Sequence, residues 1–182
     1  MRRSQHICLT LVFTALFATP SAAQTKAPVQ GGIAAGADIG VFFPDTIFEK
    51  TFTIDGYGEY YVMPHVSIRG MLGWASPGFE NLTEDHFRQV RLLFNGVYYW
   101  KRDNLLPFVT AGAGAYFVRQ LLTGVDPDSE TRGGLNLGGG LEYLLGGGGA
   151  VRGEVRWDLV SEPPGLPDAS GLTVTMGYKR YF

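Results

Sequence analysis

Charged side chains recur at every second position in several segments of this 182-residue chain, which is the spacing of one face of a β-strand. The clearest segment runs from Val151 to Leu159, where arginines and carboxylates alternate with apolar residues and glycine. Opposite charges on one face of a sheet pair across neighbouring strands. We therefore expect one ion-pair network from the six acids and five bases that follow this spacing, namely Asp38, Asp55, Glu59, Glu142, Glu154 and Asp158 with Arg69, Arg91, Arg152, Arg156 and Lys179.

Residues suited to catalysis or metal binding are scarce. Beyond residue 23 the chain has two histidines, His65 in a predicted tight turn and His86 in a predicted long loop, 76–88. His86 lies beside Glu84 and Asp85, where a general base or a weak divalent-cation site is conceivable, but an ordinary solvated loop is the favoured interpretation. We predict no catalytic residue, no metal site and no cofactor.

The elements that must position the charges are eight segments of alternating polarity, which predict eight β-strands. The predicted strands are 35–43, 52–62, 66–75, 89–100, 108–117, 135–145, 151–159 and 172–179. All eleven charges fall in the polar set of these strands and none in the apolar set. Such a pattern fits a soluble barrel with an apolar interior, and equally a membrane barrel with a polar interior.

Three features favour the membrane barrel. The first, third, fifth and seventh connections are longer than those between them, and aromatic residues of the apolar set lie near both strand ends, as Trp74 and Trp100 do. Strands of about ten residues also suit a tilted membrane crossing. We predict an all-β fold, an eight-stranded antiparallel up-and-down transmembrane β-barrel. A soluble lipocalin-like barrel is the alternative.

The chain divides into a predicted signal peptide (1–23), a short leader (24–30) and the barrel (31–182). Arg2 and Arg3 precede an apolar run that ends in small residues, as in an export signal. The only cysteine, Cys8, lies in that run, so the exported protein is expected to have no disulfide. A net charge of -2 and a pI near 5.9 argue against a nucleic-acid partner.

The last eight residues, 175–182, resemble the assembly signal of outer-membrane proteins. Thr175, Gly177 and Phe182 match that signal, whereas Arg180 occupies a position that is apolar in it. Segments 58–73 and 95–116 also resemble the small outer-membrane β-barrel domain family, related in form to OmpA and OmpX. The resemblance implies location in the outer membrane and insertion by its assembly machinery, and it brings no shared catalytic set.

Two further bases, Arg88 and Arg119, fall on the same face of two adjacent strands as the apolar residues, just beyond the apolar band. Arginines there could bind the phosphates of lipopolysaccharide through bidentate hydrogen bonds. The sequence thus predicts a monomeric, non-enzymatic outer-membrane barrel with a sealed polar interior, in contact with outer-membrane lipids and with surface loops for adhesion or lipopolysaccharide contact. The alternatives are a lipid A-modifying enzyme that uses His86 and a narrow channel for small solutes.

Overall fold

The computed structural model describes residues 28–45, 50–76, 78–79, 82–100, 103–121, 129–161 and 169–182. The predicted signal peptide and most of the leader lie outside the described residues, so the structure does not test that division of the chain. Among the described residues, no helix has the length and apolar character needed to cross a membrane.

Alternating polarity gives rise to eight long strands and one short one. The strands are β1 (Ile33–Pro44), β2 (Thr51–Met63), β3 (Val66–Ala75), β4 (Gly78–Phe79), β5 (Leu82–Tyr99), β6 (Leu105–Leu121), β7 (Ser129–Leu145), β8 (Gly149–Val160) and β9 (Gly171–Tyr181). Each long strand pairs antiparallel with its neighbour along the chain, except that β3 pairs with β5 across the two-residue strand β4.

Pairing of the first and last long strands closes the sheet. β1 pairs with β9 from Ala34 opposite Tyr181 to Pro44 opposite Gly171. The predicted fold class, an eight-stranded antiparallel up-and-down barrel, is therefore confirmed, with β4 as a small addition to the connection between β3 and β5.

The apolar parity faces outward and the charged parity faces the barrel axis. Trp74, Trp100 and Trp157 are 40%, 45% and 48% exposed, whereas every one of the eleven predicted network charges is at most 4% exposed. A soluble barrel would show the reverse arrangement, with aromatic side chains inside and charges in water. The soluble alternative is therefore inconsistent with the structure.

Short turns join the strands at one end of the barrel and longer connections join them at the other. The turns described at the short-turn end are 64–65, 103–104 and 146–148. The last of these follows from its glycines, because Gly147 and Gly148 have φ values of 78° and 82°, which other residues rarely adopt.

Three strands extend furthest beyond their predicted bounds. β5, β6 and β7 contain 18, 17 and 17 residues and extend beyond β3 and β8 at the long-connection end. The prediction that 76–88 is one long loop is wrong, because residues 82–88 belong to β5 and His86 pairs with Leu121 of β6. Polar and apolar residues alternate only weakly in these extensions. Pairing with the neighbouring strand therefore determines the extent of each strand more than the local sequence pattern does.

Close strand contacts on the inner wall require glycine. A Cβ atom at Gly140 would overlap the carbonyl oxygen of Gly153, and one at Gly177 would overlap the carbonyl oxygen of Ala37. Glycine at these positions lets the backbone approach its neighbour. Gly177, which the sequence identified as part of an assembly signal, thus also has a packing role in the seam between β1 and β9.

Candidate functional site

The barrel interior contains a set of buried charges, here called the interior network. It comprises the eleven charges named from the sequence together with Arg132, which is 2% exposed. An eight-stranded barrel has an interior that side chains fill, so these charges must satisfy one another. The network extends from the short-turn end, near Lys179, to the long-connection end, near Arg91.

Four members of the interior network form a closed ring of alternating charge. Arg91 contacts Asp55 at 2.9 Å and Asp158 at 3.2 Å, and Arg156 contacts the same two carboxylates at 3.1 Å and 3.2 Å. Asp55 lies on β2, Arg91 on β5, and the other two on β8, so the ring joins three strands around the axis. Each carboxylate binds both arginines, so no charge in the ring lacks a counter-charge.

Neighbouring hydroxyl groups complete the ring. Arg91 donates to Thr53 Oγ1 at 2.7 Å, and Tyr116 Oη donates to Asp158 Oδ1 at 3.0 Å. Thr173 Oγ1 lies between Arg91 Nη1 and Asp158 Oδ2, at 3.2 Å and 3.3 Å. These hydroxyl groups satisfy several of the donors and acceptors that burial of the charges removes from water, which lowers the cost of enclosing the ring.

A second layer, toward the short-turn end, is centred on Glu154. Its Oε2 accepts from Arg69 Nη1 at 2.8 Å and also from Arg152 Nη2. Both guanidinium groups lie over the ring of Tyr57, at 5.1 Å and 4.8 Å, and also over Phe108, an arrangement that offsets the closeness of two like charges. Asp38 Oδ2 lies 3.8 Å from Arg152 Nε.

The third layer is the Lys179 knot, which consists of Lys179, Glu59, Glu142, Tyr61 and Tyr99. The ammonium group lies 3.1 Å from Glu59 Oε2 and 2.8 Å from Glu142 Oε2, and it donates to both tyrosine hydroxyls, at 2.9 Å and 3.0 Å. The knot connects the last strand to β2, β5 and β7. It is buried on all sides, since Lys179 is 0% exposed.

Arg132 is the interior charge that the sequence analysis missed. It contacts Glu130 Oε2 at 2.9 Å and lies on the first part of β7, before the predicted start of that strand at Leu135. Extending the alternation of β7 toward its N-terminus would have placed Arg132 on the inner face. With Arg132 included, the buried charges of the described residues number six acids and six bases.

Apolar clusters flank the interior network. The cluster at the short-turn end includes Tyr61, Leu106 and Tyr181, and the cluster nearer the long connections includes Leu93, Tyr116 and Val160. Among the described residues, no group of three or more potential metal ligands of the His, Cys, Asp and Glu types is arranged to hold an ion.

The outer-rim arginine pair, Arg88 and Arg119, forms a separate feature. The two residues lie directly opposite each other on β5 and β6, both exposed on the lipid-facing side. They line a half-open cavity of about 270 Å³ together with Val90, Phe117, Val118, Thr131 and Glu130, and the Glu130 carboxylate pairs with Arg132 at 2.9 Å. Like charges opposite each other in a sheet repel, and within the described part of the chain neither arginine forms an ion pair with an acid. The pair is therefore suited to an anion.

The residues of the predicted assembly signal lie on β9 and at its end. Thr175 is buried and pairs with Gly40, whereas Phe182 is 61% exposed and its amide donates to Ile33 O at 2.9 Å. Arg180 pairs with Ala35 and Gly149, which defines the register at the end of β9. Tyr181 turns inward, so the departure at Arg180 does not disturb the seam.

Comparison with known proteins agrees with this geometry. The model of the outer membrane protein β-barrel domain matches residues 8–179, and the chain belongs to that family. No curated protein sequence matches the chain. Location in the outer membrane and the predicted family resemblance are thereby supported, and the short-turn end corresponds to the periplasmic side of such barrels.

Solved structures show the same fold at low sequence identity. Neisserial surface protein A has a TM-score of 0.68 at 12% identity and aligns over 89% of this chain and 100% of its own. OprG from Pseudomonas aeruginosa has a TM-score of 0.67 at 10% identity, with 87% and 99% covered. Ail, the attachment invasion locus protein of Yersinia pestis, has a TM-score of 0.57 at 16% identity, with 85% and 100% covered.

Proposed function

We propose that the protein is a structural barrel of the outer membrane whose interior is sealed to ions and solutes. The observation that supports this most directly is the ring of Asp55, Arg91, Arg156 and Asp158, which spans the barrel axis with every charge paired. A conducting path would need water in place of these contacts, and the apolar clusters on either side would have to open as well. The narrow-channel alternative is therefore disfavoured.

Planar-bilayer recording tests the sealed interior. We expect the purified, folded protein to give no discrete conductance steps in KCl. A conducting path would have to break the ion pairs of the ring, which would leave several buried charges without their partners at once. A known porin inserted into the same bilayers serves as the positive control. Reproducible unit conductance that scales with the amount of folded barrel would contradict the proposal.

The enzymatic alternative has little support in the described residues. His65 lies in the short turn after β2, on the periplasmic side, and the backbone of His86 lies within β5. Catalysis requires a base within hydrogen-bond reach of a nucleophile or a water held by a second group. We therefore propose a non-enzymatic role. Lipid A of altered mass in cells that carry the protein, and unaltered lipid A in cells that lack it, would contradict this.

The outer-rim arginine pair supports a second part of the proposal, contact with lipopolysaccharide. Two guanidinium groups on adjacent strands can bind one phosphate through charge-assisted hydrogen bonds, and this would also relieve their mutual repulsion. The R88Q/R119Q variant should bind diphosphoryl lipid A about tenfold to a hundredfold more weakly, since hydrogen bonds to charged groups contribute about 1.5–3 kcal/mol. Equal affinity of the variant and the wild type would eliminate this contact.

A further inference from the structure

The outer wall of the barrel carries a shallow depression along β6, here called the β6 groove. Its floor consists of small residues that face outward in adjacent rows, Gly96 on β5, Ala111, Ala113 and Ala115 on β6, and Gly133 on β7. Three successive outward positions of a strand span about 13 Å along its axis. The floor is therefore long enough to lie against several methylene groups of an acyl chain.

Large side chains form walls on both sides of the β6 groove. Phe94 lies opposite Ala113 on β5 and is 63% exposed, and Leu135 lies opposite the same alanine on β7 and is 61% exposed. Leu137, opposite Ala111, is 64% exposed. At Ala113 the groove has a large residue on each side and is about two interstrand spacings wide, roughly 10 Å. It is wider at Ala111 and Ala115, where Gly96 and Gly133 lie on one side.

The outer end of the β6 groove meets the cavity at the outer-rim arginine pair. Ala115 is followed on the outward face of β6 by Phe117 and then by Arg119, which lies opposite Arg88. Phe117, Val90 and Val118 form the apolar part of the cavity lining beside the two arginines, and the acid in the lining, Glu130, is paired with Arg132. Along β6, the apolar floor is thus followed by the arginine pair. A lipid of the outer leaflet has the same order, with its acyl chain in the membrane and its anionic headgroup at the outer surface.

We infer that the β6 groove and the outer-rim arginine pair form one binding site for a phosphate-bearing, multiply acylated lipid of the outer leaflet, of the lipid A type. The phosphate binds Arg88 and Arg119, and one acyl chain lies along Ala115, Ala113 and Ala111 between the two walls. Charge complementarity at the outer end selects this occupant over an uncharged lipid. The inference rests on the lipopolysaccharide contact proposed above and adds the groove that holds the chain.

Native mass spectrometry of the folded barrel in detergent, titrated with diphosphoryl lipid A, tests this site. Filling the groove in the A111L/A113L variant should weaken formation of the one-lipid complex about tenfold, which corresponds to the loss of contact with about two methylene groups. The matched control is A37L, since Ala37 is an exposed small residue on β1, away from the groove. It should bind as the wild type does. Heat-modifiable migration on a denaturing gel verifies that each variant is folded.

The outcomes separate the groove from the headgroup contact. If A111L/A113L binds lipid A as the wild type does while R88Q/R119Q binds more weakly, the groove is wrong and the phosphate contact stands. If R88Q/R119Q also binds unchanged, both are wrong. Equal weakening by A37L would show that the effect is not local, and a lipid-free dimer abolished by A111L/A113L would show a second copy as the occupant; either result overturns the site.

Discussion

Replacing Lys179 with methionine should lower the free energy of unfolding by about 3–5 kcal/mol, the usual cost of removing one partner from a buried ion pair. The ammonium group lies 2.8 Å from Glu142 and 3.1 Å from Glu59. Glu59 also contacts Arg69, at 3.4 Å, whereas the described ion pairs of Glu142 include no cation other than Lys179. The K179M variant therefore buries a carboxylate without a counter-charge. Urea unfolding in lipid vesicles, followed by tryptophan fluorescence, measures the change.

Two further variants separate charge from packing at the Lys179 knot. The double variant K179M/E142Q removes the orphaned carboxylate and should recover part of the lost stability. M176L, on the lipid-facing side of the same strand, should unfold as the wild type does because Met176 is 67% exposed. An unchanged unfolding midpoint for K179M would show that the knot contributes nothing to stability.

Replacing Arg156 with methionine should destabilise the barrel by about 3 kcal/mol, the lower end of the same range. Arg156 contacts Asp55, Asp158 and Glu154 at 3.1, 3.2 and 3.4 Å. The first two retain Arg91 as a partner, and Glu154 retains Arg69 and Arg152. The loss is therefore smaller than at Lys179, although more contacts are removed. The same urea experiment provides the comparison.

Neutralising one acid of the ring tests whether unbalanced charge causes the loss of stability in R156M. R156M/D158N should be more stable than R156M, because the ring then contains Asp55 and Arg91 as a single balanced pair. V155L, at the adjacent lipid-facing position, is the packing control, since Val155 is 48% exposed. If R156M is as stable as the wild type, the ring of charges is not what holds β2, β5 and β8 together.

The fold could be predicted from the sequence because alternation carries most of the information. Segments such as 151–159 place every charge on one parity, and loop lengths with aromatic positions decide which parity faces lipid. The inward position of each of the eleven charges follows from the same pattern. These features are local, so a single strand is enough to show them.

The partners within the interior network could not be predicted in the same way. Arg156 meets Asp55 from 101 residues away, and Lys179 meets Glu59 from 120 residues away. Such pairs depend on closure of the barrel and on the register between strands, which period-two alternation leaves open. That Arg88 lies opposite Arg119 was easier to predict, because few residues separate the end of β5 from the start of β6.

The strand ends at the outer side were the least predictable part. Arg132 and the backbone of His86 both lie in extensions of strands whose sequence alternates weakly there. The extensions exist because β5, β6 and β7 pair with one another beyond the points where β3 and β8 end. Cooperative pairing of this kind is a property of the sheet, which no single segment reveals.

The central claim is that apolar side chains face lipid while charges are enclosed in the barrel. Three single-tryptophan variants that retain Trp74, Trp100 or Trp157, with the other two replaced by phenylalanine, test it in vesicles. The outward exposure of these side chains predicts strong fluorescence quenching by lipids brominated on their acyl chains and weak quenching by acrylamide in the aqueous phase. Weak quenching by the brominated lipids, with strong quenching by acrylamide, would contradict the account.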